Sequence, residues 1–176
     1  MIETLAFVLT GIGLAASIVY YANILNNANK TRELQLKAQQ HAEETRQAQL
    51  FMNIYNQGLN NQRFQDAQKI MITWKWTNFE ELWNTFFESD DAETNMDALW
   101  VISGYYEGVG VLVKEDLLHI RYVANLMTHW VTSFWELFEP YIGELRVRMY
   151  PRLFSETEYL YNELVKYIKE HPEITT

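Results

Sequence analysis

Residues 5–25 read LAFVLTGIGLAASIVYYANIL, and no charged side chain occurs between Glu3 and Lys30. The run is apolar on every face rather than along one stripe. Coiled as a helix, about 21 residues rise roughly 30 Å, the thickness of a bilayer's hydrocarbon core. The spelling therefore predicts a transmembrane helix, because lipid offers no partners to open backbone groups. Tyr20 and Tyr21 stand near one end, where amphipathic rings favour the membrane interface. A cleaved signal peptide calls for a positive n-region and a shorter apolar core, whereas this n-region carries Glu3 and neither Lys nor Arg. Lys30, Arg32 and Lys37 follow the run and nothing positive precedes it. The positive-inside rule then places the remainder of the chain in the cytoplasm. Asn29-Lys30-Thr31 is formally a glycosylation sequon, but it lies too close to the span to be used as one. Gly11 with Ala15, and Gly13 with Ser17, are small pairs at helical spacing. Such pairs let backbones approach closely in lipid and suggest a docking face for another membrane helix.

Working outward, residues 26–56 are polar, rich in Gln, Glu and Ala, and free of Gly and Pro. Leu34, Ala38, Ala42, Thr45, Ala48 and Met52 keep a three- and four-residue spacing, which predicts a stalk helix with one modest apolar stripe. A bend is expected at Asn26, Asn27 and Asn29. Gly58-Leu59-Asn60-Asn61 is a turn signal. A helix is predicted over 63–75. Asn78 with Glu81 forms a capping box that opens another, and Ser89-Asp90-Asp91 ends it. A fourth helix is predicted over 92–114. After a break near Asp116, an apolar-periodic stretch reaches Arg148, interrupted by Pro140. Ser155 with Glu158 reads as a second capping box, opening a last helix that ends before Pro172. No run alternates with period two. The fold class is therefore all-α: an anchor over 1–28, a stalk helix over 29–57, and a bundle of about five further helices over 58–176.

The chain has 176 residues with 14 positive and 23 negative side chains, a net charge of −9. That balance argues against a nucleic-acid binder, which normally presents a basic face. With no cysteine, disulfides and thiolate metal sites are excluded. All six tryptophans fall between Trp74 and Trp135 and read as core, since aromatics dominate burial.

The stretch YYEGVGVLVKEDLLHIRYVANLM (105–127), with WVTSFWELFEPYIGELR (130–146) after it, carries two patterns. One is an aromatic-Glu-Gly-aliphatic-Gly-aliphatic-Leu run from Tyr106 to Leu112. The other places Trp135, Phe138, Glu139, Pro140, Leu145 and Arg146 in order. Together they resemble an uncharacterised prokaryotic family, domain of unknown function 4760. The resemblance implies an N-terminal span, a polar helix and a small helical domain. It carries no activity, so no catalytic role passes to these residues.

The same residues have a physical reading. Gly104, Gly108 and Gly110 sit within one helix, where each glycine costs about 1 kcal/mol. Their clustering predicts that another helix backbone crosses there. A phosphate-binding loop fails because no strand precedes it and no Gly-Lys-Ser/Thr follows. Glu107 lies amid apolar neighbours and needs a partner; Arg63, Lys69 and Arg121 are the candidates. Arg146 is expected to pair with Glu136 or Glu139. The four histidines, His41, His119, His129 and His171, form no Glu-x-x-His or His-Glu-x-x-His motif. No metal, cofactor or catalytic residue is assigned. The function expected is that of a membrane protein acting in protein–protein interaction, as a non-catalytic accessory subunit of a larger membrane complex. A membrane-tethered sensor is the alternative, and an enzyme would need a pocket where Glu107, a histidine and another polar group converge.

Overall fold

The computed structural model describes residues 2–174, and the side chains of all of these except residues 2–8, Thr10 and Ala15. The described residues hold eight α-helices and two short 3₁₀ turns, with no strand. The chain forms two compact units, Met1–Arg46 and Gln47–Thr176, and helix α1 (Ile2–Asn60) contributes to both.

In the first unit, α1 runs unbroken past Asn26, Asn27 and Asn29, where a bend was expected. With neither Gly nor Pro nearby, three asparagines cost too little propensity to interrupt a helix. Leu9, Ile12, Leu14, Ile18, Val19, Ile24 and Leu25 are all exposed, Leu14 by 65%. Among the described residues no helix is long and apolar enough to cross a membrane. Part of the expected span, 5–8 with Thr10 and Ala15, lies outside the side chains described. Gly11 and Gly13 have open space where a Cβ would stand, and Ser17 Oγ donates to the Gly13 carbonyl at 2.8 Å.

The second unit is a helical bundle built around α4 (Ala92–Lys114). It comprises α2 (Gln62–Met71), α3 (Phe79–Phe87), α5 (Ile120–Leu126), α6 (Thr128–Phe138), α7 (Ile142–Arg148) and α8 (Ser155–Glu170) as well. Helix α4 packs against α2, α3 and α8, and α8 also packs against α5 and α6. The core-facing side of α4 carries Leu99, Ile102, Tyr106, Val109 and Val113, spaced three and four apart. Seven helices follow α1 where about five were expected, because the apolar stretch after Asp116 is cut twice. Met127 breaks it once, between α5 and α6. Pro140 breaks it again, in a 3₁₀ turn (Glu139–Tyr141), as its missing N–H requires.

Local signals set the remaining ends. Asn61 Oδ1 accepts from Phe64 N at 3.2 Å, so α1 runs through Gly58 and α2 starts after a single cap residue. Asn78 Oδ1 accepts from Glu81 N at 2.9 Å, the cap the sequence predicts, while the Glu81 carboxylate accepts from Thr77 N at 2.7 Å, one residue before the cap and not from Asn78 N as a strict capping box would. Asp116 adopts φ 55 and turns the chain out of α4, while Leu117 and Leu118 N–H groups return to the Leu112 carbonyl at 2.9 and 3.0 Å. Trp74, past the end of α2, is buried and donates to Asn95 at 2.8 Å. It meets Phe86 edge-on at 5.0 Å, and Phe134, Phe138 and Phe154 continue this aromatic core.

Candidate functional site

Helix α8 starts without a cap of its own. Phe154 occupies the capping position in the left-handed region, φ 54, and has no side-chain acceptor. A bulky residue there is strained; Phe154 is held by burial against Phe134 and Phe138, at 5.5 and 5.4 Å. The capping box expected at Ser155 and Glu158 does not form, because Ser155 is already the first helical residue.

The missing acceptor comes from α4. Glu107 Oε1 accepts from Glu156 N at 3.1 Å, Thr157 N at 2.7 Å and Thr157 Oγ1 at 2.8 Å. A carboxylate at a helix N-terminus satisfies orphan amides and faces the positive end of the dipole. None of the cations expected for Glu107 is its partner here. Arg63 pairs with Asp97 and Lys69 with Asp66, and Arg121 reaches the Tyr122 hydroxyl at 2.9 Å.

Gly110 stands one turn on. A Cβ built there would meet the Glu156 carbonyl oxygen at 2.2 Å. Only glycine admits that approach, so the expected close crossing is real at this position. It is absent at Gly104 and Gly108, where a Cβ would meet nothing within 4 Å. Those two glycines instead line an open groove of 510 Å³, with Ile54, Gly58, Phe64, Tyr105 and Leu112. Trp100, on the same helix, is 42% exposed. Trp135 is buried, as read, with Tyr161 at 6.0 Å.

Arg146, at the end of α7, completes the junction. Its Nε donates to the Leu153 carbonyl at 3.0 Å and its Nη2 to Glu158 Oε2 at 2.6 Å. It thereby holds the loop that carries Phe154, and it does not pair with Glu136 or Glu139 as expected. Sequence spacing favoured neighbours on the same segment, but the fold brings α8 closer.

Glu156 was not among the residues that sequence reasoning singled out. Its side chain is only 10% exposed and is bonded by Lys114 Nζ at 2.8 Å and Arg152 at 3.3 Å. The Lys114 hydrogen bond holds this carboxyl below the usual glutamate range, with burial opposing. Burial, and secondarily the Glu107 charge, pushes the Tyr150 hydroxyl up. Lys114 and Arg152 meet the Glu156 carboxylate at the N-terminal end of α8, where the Glu107 carboxylate also accepts. Among the described residues no three His, Asp or Glu side chains converge as a metal would require.

Fold and junction together define a small all-helical domain whose last helix is joined to the central α4 by a carboxylate and a close glycine contact, and to α7 by an arginine. The chain belongs to the family described as Domain of unknown function (DUF4760), whose model matches residues 8–164. That match includes Glu107, Gly110 and Arg146. No curated protein and no solved structure matches the chain.

Proposed function

We propose that this is a single-pass membrane protein, anchored by residues 1–28, whose helical C-terminal unit acts in protein–protein interaction. Its role is that of a non-catalytic accessory subunit of a larger membrane complex. The observation that carries this reading is the N-terminal part of α1. Leu9, Ile12, Leu14, Ile18, Val19, Ile24 and Leu25 lie exposed on all sides of it, and no charge occurs between Glu3 and Lys30. An apolar surface of that kind needs a cover, and lipid supplies one without further specificity. Lys30, Arg32 and Lys37 favour a cytoplasmic C-terminal unit. The net charge of −9 gives no support to nucleic acid as a partner.

Mild detergent extraction of the full chain from its native membrane, followed by identification of co-purifying chains, tests the subunit role. The expected result is one or more membrane proteins in fixed proportion. A lone monomer under those conditions overturns it. A homodimer joined through residues 34–52 points to the tethered-sensor reading instead.

A further inference from the structure

Two grooves follow one face of α4. The first, of 510 Å³, takes Val101, Gly104, Gly108 and Leu112 from α4 and meets the last turns of α1 at Ile54 and Gly58. The second, of 550 Å³, takes Glu93, Thr94, Asp97 and Ala98 from α4 and meets α2 at Asp66 and Ile70. These α4 residues recur at three- and four-residue spacing, so they share a side of the helix. From Glu93 to Leu112 that side is about 28 Å long, roughly five turns. Its two ends differ in charge. Around Gly104 and Gly108 no Asp, Glu, Lys or Arg lines the groove, and a Cβ at either glycine would meet nothing within 4 Å. Trp100 and Val111 stand exposed beside them. Toward the start of α4 the lining carries Asp66, Glu93 and Asp97 against Arg63 alone. Asp97 takes Arg63 and Asp66 takes Lys69, which leaves Glu93 without a matching cation among the described residues. The wider surroundings are acidic too: no Lys or Arg occurs between Lys75 and Lys114, a span that holds eight Asp and Glu side chains.

We propose that this face of α4 is the docking groove for one helix of a partner protein, a helix with Lys or Arg at one end and small or aliphatic residues along the rest. The charge pattern selects that occupant. A wholly apolar helix would cover Glu93 without pairing it, and a wholly basic one would set unmatched cations over Gly104 and Gly108. The two glycines cost α4 helix propensity and gain no contact within the chain; an approaching backbone is what their missing side chains admit. The inference deepens the interaction reading above and rests on its premise that the C-terminal unit binds another protein.

The test titrates the full chain, held in zwitterionic nanodiscs, with two fluorescent helical peptides. Each has an Ala/Leu stripe on a Gln background; one carries Lys and the other Glu in its last turn. Binding is counted in excess over empty discs. The Lys peptide is expected to saturate and to bind at least about tenfold more tightly than the Glu peptide. Gly104→Leu/Gly108→Leu fills the floor of the groove and weakens the Lys peptide by at least about tenfold. Glu93→Lys narrows the preference between the two peptides by about threefold, and it decides alone if the leucine variant does not fold. Equal binding of the two peptides, or none of either, overturns the proposal. So does a folded leucine variant that binds the Lys peptide as the wild type does, or a preference that Glu93→Lys leaves unchanged. Partners that co-purify in fixed proportion despite such a failure preserve the subunit reading and remove only this groove.

Discussion

Replacing Glu107 by alanine removes the acceptor of two α8 amides and one hydroxyl at once. The expected loss is about 1–3 kcal/mol by denaturant unfolding, the cost of buried donors left unpaired; glutamine, which keeps an acceptor oxygen, should lose less. Gly110→Ala places a methyl on the Glu156 carbonyl, and the required shift should outweigh alanine's better helix propensity by about 2 kcal/mol. His119 offers a separate test. Its Nδ1 accepts from Arg121 N at 3.1 Å at the start of α5, which only the neutral ring can do. Desolvation first, then Arg121, lowers its affinity for a proton below the ordinary value of 6.5. A depressed histidine contributes stability above pH 6.5 that is lost as pH falls through the folded value. Stability should therefore decline from pH 7 toward pH 5, and His119→Asn, which keeps a cap without titrating, should flatten that slope in pH-dependent unfolding curves.

Helix ends and faces decide how far the sequence could be read. The Asn78 cap and the breaks at Asp116 and Pro140 were legible, because caps, left-handed residues and proline act through their immediate neighbours. Glu107 was legible as a charge needing a partner, but not the partner. Its acceptor role depends on α8 arriving about fifty residues later with an uncapped end. Phe154 gives no local sign of its left-handed backbone, which burial against two other rings enforces. The glycines of α4 divide on the same principle: Gly110 faces the α8 backbone, whereas Gly104 and Gly108 face open space. Gly104→Ala and Gly108→Ala should each stabilise the isolated chain by about 0.5–1 kcal/mol, since a helix-interior glycine is penalised with no contact in return. A partner helix seated in the groove would make the same changes weaken co-purification while thermal unfolding of the purified chain rises.

At the scale of the whole molecule, the bundle unit has its own buried core, while the first unit shows apolar side chains to its surroundings. The absence of cysteine makes orientation measurable with one introduced thiol. Lys169→Cys, at an exposed position of α8, should react with a membrane-impermeant maleimide only after intact cells are permeabilised. Labelling of intact cells would reverse the cytoplasmic assignment.

The most direct measurement is the partition of the full chain, expressed at native level, between membrane pellet and supernatant after an alkaline carbonate wash. A lipid-embedded α1 predicts retention in the pellet until detergent is added, with release to the supernatant by Leu14→Lys/Ile18→Lys. A wild-type chain that washes into the supernatant contradicts the membrane anchor and the function built upon it.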